Sequence, residues 1–245
     1  MKNLHSCFIF FPLLALVVFV SCNDDLQTES QGDPSPIGYH KNDVSSINAS
    51  NPANPYDSAG QIHNEISDSY FDGSALPTTI TGVLARVDDI AQSNSHFVGL
   101  KDPTYELPTA QHLSEMLNNP ASGAAQAYNA SNISPSAKTS LEGFTRSLLG
   151  ITQGGTDYKL IFNYISDYES LVISHSAFSA HDKKVLLTVT SIARHAAARK
   201  KRPKPNTDTD WEINIFHIVG GIDGIPHGTA SSITSAVCLG IAGNL

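Results

Sequence analysis

Cysteine is scarce in this chain, and its scarcity excludes the disulfide-built class of small secreted fold. The 245 residues contain 3 Cys, at positions 7, 22 and 238. Disulfide scaffolds concentrate many cysteines in a short chain, and a lone cysteine cannot form an intramolecular bridge. Cys238 is therefore expected to be a buried small apolar residue and not a catalytic thiol, because no basic or histidine side chain lies near it in the sequence.

Positive charge is also in short supply. The chain has 15 Lys and Arg against 23 Asp and Glu, which gives a net charge of −8. Nucleic-acid binding relies on a basic surface, so no nucleic-acid partner is expected. The basic cluster at residues 199–204 lacks the interleaved aromatic residues that stack on bases. Its position at the predicted C-terminus of a helix, where the helix dipole favours positive charge, indicates a solvated helix end.

Sequence motifs of known enzymes are missing as well. The chain contains no G-x-S-x-G elbow, no P-loop, no dinucleotide-binding fingerprint and no CxxC pair. His63 lacks the second histidine, four residues further on, that makes the helical zinc-protease motif specific. We therefore predict no catalytic residue, no metal and no cofactor. A hydrolase whose site is assembled only in three dimensions stays open as an alternative.

The N-terminus carries an export signal. Residues 7–20 form an apolar run of 14 after the positive charge of Lys2. This length suits the hydrophobic part of a secretory signal peptide and falls short of the ~20 residues of a membrane span. The sequence Phe19-Val20-Ser21-Cys22 that follows resembles the lipobox of bacterial lipoproteins, although Phe19 replaces the usual Leu or Val.

The lipoprotein resemblance implies a defined maturation and location. It implies that residues 1–21 are a signal peptide and that Cys22 receives lipid, which makes the membrane a partner through the N-terminal lipid. Asn23-Asp24-Asp25 resembles the acidic export signal of surface-displayed lipoproteins, which implies anchoring to the outer membrane with exposure at the cell surface. An ordinary secretory signal in which Cys22 is incidental is the alternative.

Two parts follow the signal. Residues 22–54 are rich in Ser, Asn, Asp, Pro and Gly, and they lack the apolar periodicity that offsets ordering entropy, so we predict a lipidated cysteine with a flexible, disordered tether. Residues 55–245 show helical periodicity and no sustained two-residue alternation. They predict an all-α helical bundle of about seven or eight helices. The local signals predicted in this region are a first helix cap at Asn54, an apolar helix face with Ala59, Ile62, His63, Ile66 and Tyr70, a helix stop at Pro120, and a capping box at Ser179-x-x-Asp182.

The opening of this helical domain has a recognisable pattern. Residues 54–65 read Asn-Pro-Tyr-Asp-x-x-Gly-x-x-His-Asn-Glu, and this pattern is similar to the start of uncharacterised helical domains in secreted bacterial lipoproteins. The resemblance implies no known activity. We predict His63, Asn64 and Glu65 as binding residues on the first helix. The competing interpretation is that His63, on the apolar side of that helix, is buried and hydrogen-bonded to backbone.

The C-terminal segment, residues 213–245, is glycine- and small-residue-rich and apolar. Its one charged side chain is Asp223, and glycines recur every four residues at Gly220, Gly224 and Gly228, which we predict as further contact residues. Pro226 predicts a break between two helices. One interpretation makes the last helix the buried centre of the bundle. The other is a glycine-zipper-like, membrane-active segment that resembles bacteriocin-like peptides in composition.

These features together predict a noncatalytic role. We expect an envelope-anchored lipoprotein that acts through binding or interaction, with a protein partner or self-association as the possible contacts. The membrane-active protein and the hydrolase are the two alternatives.

Overall fold

The structure is a computed structural model that describes residues 48–72, 75–152, 157–199 and 210–245. These ranges contain α-helices, one 3-10 turn and no strand, which confirms the predicted all-α class. The signal peptide, Cys22 and the tether up to residue 47 lie outside the described residues. The helices are α1 Ser58–Phe71, α2 Ile80–Ser93, α3 Ser95–Val98, α4 Ala110–Asn118, α5 Pro120–Ala130, α6 Pro135–Thr152, α7 Tyr158–Ser174, α8 Ala180–Ala198, α9 Asp210–Asp223 and α10 Thr229–Ala242, with the 3-10 turn at Ile225–His227.

The helix count exceeds the predicted seven or eight because two helices, α3 and α5, begin at caps in stretches for which no helix was predicted. Pro120, predicted as the stop of one helix, is also the first residue of α5, where its missing N–H costs nothing. The Asn119 side chain caps α5 by accepting a hydrogen bond from the Ser122 N–H at 3.3 Å. In the same way Asn94 caps the short helix α3.

Other boundaries follow local signals that the sequence displays. Ser179 and Asp182 form the predicted capping box at the start of α8, with each side chain bonded to the other residue's backbone N–H. Asp182 also accepts a hydrogen bond from the Ser134 N–H at 2.7 Å, which ties the start of α8 to the start of α6. The chain breaks near Pro226 as predicted, between α9 and α10.

Two helices occupy the centre of the bundle. Every residue of α8 from Val185 to Ala196 is buried, and so is every residue of α10 from Ala230 to Ala242. A helix buried on all sides cannot show a one-sided apolar stripe, and its polar residues must be small or paired. This agrees with the abundant Ser, Thr and Ala in both helices.

Helices α9 and α10 form an antiparallel pair, here called the C-terminal hairpin. Helices α1, α2, α4, α5, α6 and α8 pack around it. The structure therefore places the C-terminal segment inside the bundle, as the structural interpretation expected. Among the described residues, no helix combines the length and apolar character needed to cross a bilayer.

Candidate functional site

The first residues of the described chain are docked onto the bundle. Residues 48–57, here called the docking segment, precede α1 and include Ala49 and Asn54, which are both buried. The sequence assigned residues 48–54 to the flexible tether and placed the first helix cap at Asn54. Instead, the Asn54 side chain donates to Glu169 Oε1 at 2.7 Å and to the Leu187 carbonyl at 2.9 Å. Helix α1 consequently begins later, at Ser58.

The docking segment covers a buried ionic cluster, here called the Arg194 network. Arg194 of α8 and Glu169 of α7 are both fully buried, and a guanidinium N–H donates to Glu169 Oε1 at 3.2 Å. Arg194 also donates to Asp57 Oδ1 at 2.5 Å and to the Ala49 carbonyl. Asn51 donates to Glu169 Oε2 at 2.6 Å. The network thus joins the docking segment to α7 and α8.

Asp57 is a partly exposed member of the network, with 17% of its side chain accessible to solvent. Burial raises the pKa of Asp57, but hydrogen bonds from His195 and Arg194 outweigh burial and hold its pKa below the usual range. His195 Nε2 lies 3.2 Å from Asp57 Oδ1. Asp57 therefore remains ionised down to strongly acidic pH and keeps the network paired.

Helix α1 crosses α8 at Gly60, which has no side chain to keep the two helix backbones apart. A Cβ atom on Gly60 would lie 2.3 Å from the Ser191 carbonyl oxygen. The Gly60 N–H donates to Ser191 Oγ at 3.0 Å, and Ser191 Oγ donates to the Asp57 carbonyl at 2.8 Å. One turn later the Asn64 side chain donates to the His195 carbonyl at 2.8 Å. The opening pattern of the domain is thus a set of contacts that seat α1 on α8.

His63 lies on the buried face of α1, as the apolar periodicity predicted, and it meets a second histidine. His63 Nε2 lies 2.9 Å from His217 Nδ1 of α9, and the two rings meet edge to face. His217 Nδ1 also lies 3.0 Å from the Ala236 carbonyl oxygen of α10. The interpretation of His63 as a backbone-bonded histidine is therefore wrong in its partner, since the partners are His217 and Asn64.

The hydrogen-bond partners assign the protons on both rings. The Asn64 amide donates to a carbonyl, so its Oδ1 faces His63 Nδ1 as an acceptor at 3.0 Å, and His63 Nδ1 carries a proton. The Ala236 oxygen only accepts, so His217 Nδ1 also carries a proton. His63 Nε2 is then the bare nitrogen, and it shares the single Nδ1–H of His217 with the Ala236 oxygen as a second acceptor. Both imidazoles are neutral in this arrangement.

Gly220 and Gly224 make the close crossing of the C-terminal hairpin. A Cβ on Gly220 would lie 2.5 Å from the Ser235 carbonyl oxygen, and one on Gly224 would lie 2.3 Å from the Ser231 carbonyl oxygen. Both contacts are with backbone, which cannot rotate away. These two predicted contact residues are therefore enclosed in the hairpin and serve its packing.

Gly228 has a separate role at the start of α10. Its φ of +97° lies in the left-handed region, where glycine has no steric penalty, and a Cβ there would meet Asp102 Oδ2 at 2.4 Å. Asp223, the only charge of the C-terminal segment, is also paired. His112 Nε2 of α4 lies 2.9 and 3.0 Å from its two carboxylate oxygens. The sequence did not indicate this partner.

Glu65, the third residue predicted on α1, lies apart from His63 and faces the surface. It accepts a hydrogen bond from Asn94 Nδ2 at 2.8 Å, and His96 Nδ1 lies 3.7 Å away. A shallow open cleft between α1 and α3 lies beside it. The cleft is lined by Ser58, Gln61, Ile62, Ser95, His96, Gly99 and Leu100.

Sequence analysis missed Glu169, Arg194 and His217, which form the polar contacts of the core. A signal for two of them exists. Glu169 lies at helical spacing from the apolar Ile165 and Val172, and Arg194 interrupts a stretch of small and apolar residues in α8. A charge on an apolar helix face predicts a buried, paired side chain.

The polar side chains of these clusters form hydrogen bonds and ion pairs with one another. In the part of the chain that the structure describes, no group of three or more His, Cys, Asp or Glu side chains converges on a possible metal position. Cys238 is fully buried in α10, as predicted, and burial raises the pKa of its thiol. Comparison of the chain with protein-family models, with curated proteins and with solved structures gives no match.

Proposed function

We propose that this chain is a lipid-anchored protein of the outer membrane, exposed at the cell surface, whose helical domain binds a protein partner and performs no catalysis. The lipobox-like Phe19-Val20-Ser21-Cys22 and the acidic Asn23-Asp24-Asp25 support the anchoring and export parts of the proposal. The arrangement of the buried polar residues supports the noncatalytic part.

The observation that carries the noncatalytic proposal is that Glu169 and Arg194 are buried and bond to other residues of the same chain. Glu169 and Arg194 have no exposed surface. Asn51 and Asn54 donate to Glu169, and Asp57 accepts from Arg194, while the Arg194 Nε–H is buried without a hydrogen-bond partner among the described residues. A catalytic acid, base or nucleophile must come within hydrogen-bond reach of a substrate. These residues favour a different role, namely the attachment of the docking segment to α7 and α8.

The outer side of α1 and α2 favours a protein partner with a cationic contact surface. The two helices pack together and carry four acidic residues and one basic residue between them. Gln61 of α1 is exposed and lies at the edge of the shallow cleft. Complementary charge on the partner increases the association rate and disfavours competitors of the wrong sign.

Lipidation is tested by metabolic labelling of the full chain with an alkyne-tagged fatty acid. We expect incorporation in the unaltered protein and in Cys238→Ala, and none in Cys22→Ser, because Cys22 is the residue at the lipobox position. Recovery of each variant in the membrane fraction should parallel its incorporation of the tagged fatty acid. Equal labelling of Cys22→Ser and the unaltered protein would contradict the anchoring proposal.

Partner binding is tested by photo-crosslinking in envelope preparations that contain the full-length lipoprotein. A photoreactive residue at Gln61 of α1 should give a discrete protein adduct whose yield falls severalfold at high salt, because exposed charges are screened. The matched control is the same residue at Gln126, an exposed glutamine on α5. Adducts of equal yield from both positions, or none from Gln61, would contradict the assignment of the binding surface.

A further inference from the structure

The His63–His217 contact joins α1 to the C-terminal hairpin through two histidines and no acid. Both residues are buried, with 0% and 4% of their surface exposed. Gly240 of α10 packs so closely on the His217 ring that a Cβ at this position would lie 2.0 Å from His217 Cε1. The pair therefore lies where α1, α9 and α10 meet, in a space with no room for rearranged side chains.

With the protons placed in this way, the contact is stable in one charge state, in which both rings are neutral. His63 Nε2 accepts the proton of His217 Nδ1, and both Nδ1 atoms already donate. A proton added to His63 Nε2 would place two N–H donors against each other at the 2.9 Å separation of the two nitrogens. The hydrogen bond between α1 and α9 would then be lost.

Charges on the neighbouring helices oppose protonation of the pair. His195 and Arg199 of α8 repel a cation at His63, and Arg199 also repels one at His217. Helix α10 contributes Cys238 as its one titratable side chain, and α5 has no charged side chain.

The acidic groups on the surrounding helices contact other partners among the described residues. Asp57 contacts Arg194 and His195, Asp68 contacts Arg199, and Asp223 contacts His112. Glu65 accepts a hydrogen bond from Asn94, and Asp88 accepts hydrogen bonds from Tyr105 and Gln92. Helix α6 adds the charged side chains Lys138, Glu142 and Arg146. None of these carboxylates forms a hydrogen bond or ion pair with the His63 or His217 ring.

We propose that the His63–His217 pair is an acid-sensitive latch whose protonation releases the C-terminal hairpin from α1 while the Arg194 network keeps α1 on α8. The inference rests on the packing of the core and is independent of the proposed anchoring and partner binding. It assigns a conformational function to two residues that are buried in the core.

The direction of the pH effect follows from burial. Burial lowers the pKa of His63 well below 6.5 and lowers the pKa of His217 from 6.5 to about 4. The contact is therefore fully stabilising above pH 6.5 and weakens as the pH falls from 6.5 towards 4. Asp57 stays ionised across this range because its pKa is lowered, so the Arg194 network persists while the latch opens.

Cys238 provides a natural reporter of hairpin release, because it is fully buried in α10 and is the only cysteine after position 22. The experiment measures its modification by 4,4′-dithiodipyridine in the full chain with Cys7→Ser and Cys22→Ser. Rates are divided by those of the denatured chain at the same pH. Between pH 7.5 and pH 5 we expect the normalised rate to rise about 30-fold for each ring that gains a proton.

A matched pair of variants tests the origin of the rise. His63→Gln combined with His217→Asn keeps an acceptor and a donor at the contact but removes both titrations, so the rise should shrink below about 3-fold. His181→Gln, at an exposed position of α8, should keep the full rise. No rise in the unaltered protein, or an equal rise in the double variant, would overturn the latch.

A second measurement needs no core variant and distinguishes release from general unfolding. At pH 5 the urea dependence of Cys238 modification should be clearly weaker than that of the loss of helical circular dichroism, because local opening exposes less surface than global unfolding. Equal urea dependence would show that the whole domain opens and would also overturn the proposal. This result holds even if the double variant fails to fold.

Discussion

Glu169→Gln is expected to lower the free energy of unfolding by about 3–5 kcal/mol, the cost of removing one partner from a buried ion pair. Glu169 is fully buried and accepts hydrogen bonds from Asn51, Asn54, Thr190 and Arg194. A glutamine removes the charge opposite Arg194 and turns an N–H₂ group towards donors. Urea denaturation followed by circular dichroism measures the loss.

The control for this prediction lies on the same helix. Asp167 is an exposed acid of α7, two residues before Glu169, and Asp167→Asn should change the free energy of unfolding by no more than about 0.5 kcal/mol. A loss that is the same for both variants would mean that the buried pair contributes nothing specific. Increased proteolysis within the docking segment of Glu169→Gln would be the accompanying local effect, since Asn51 and Asn54 donate to different oxygens of Glu169 and one of them would then face an N–H₂ group.

Gly224→Ala is expected to lower the free energy of unfolding by about 3 kcal/mol through overpacking of the C-terminal hairpin. The added Cβ would lie 2.3 Å from the Ser231 carbonyl oxygen and 2.6 Å from Ser232 Cα. These are backbone atoms of the first turn of α10, so relief requires the two helices to move apart. Their separation would disturb a core that is buried on every side. Urea denaturation of the two purified proteins gives the difference.

Gly143→Ala is the matched control for the hairpin prediction. Gly143 lies inside α6, and a Cβ there would meet no atom within 4 Å. Alanine has a higher helix propensity than glycine, so this variant should gain up to about 1 kcal/mol. The two Gly→Ala changes are thus expected to have opposite signs. A gain in both variants would contradict the close approach of α9 and α10.

Local patterns in the sequence predicted much of the fold. The residues predicted on the apolar face of the first helix, including Ile62, His63, Ile66 and Tyr70, are all buried. The capping box at Ser179 and the break at Pro226 were predicted correctly for the same reason. Each signal involves residues within about one helical turn of one another, so the chain displays it before any tertiary contact forms.

The polar contacts of the core required the tertiary structure. Asn51 and Glu169 are 118 positions apart, and His63 and His217 are 154 positions apart. No local spacing relates such pairs, because each residue type alone is compatible with an exposed site, a cap or a ligand. The predicted binding residues on α1 illustrate the consequence, since His63 is buried against His217 and the partly exposed Asn64 donates to the α8 backbone.

The sequence by itself determined the helical class, the faces that are buried and the uncharged character of the last helices, because these depend on periodicity and composition along the chain. The tertiary structure alone decided which polar side chains meet inside the bundle, that the docking segment belongs to the core, and that the glycines of the hairpin are enclosed. The physical reason is that burial strongly favours pairing of charges and hydrogen-bonding groups, and helix packing decides the partner over distances that the linear order of residues does not record.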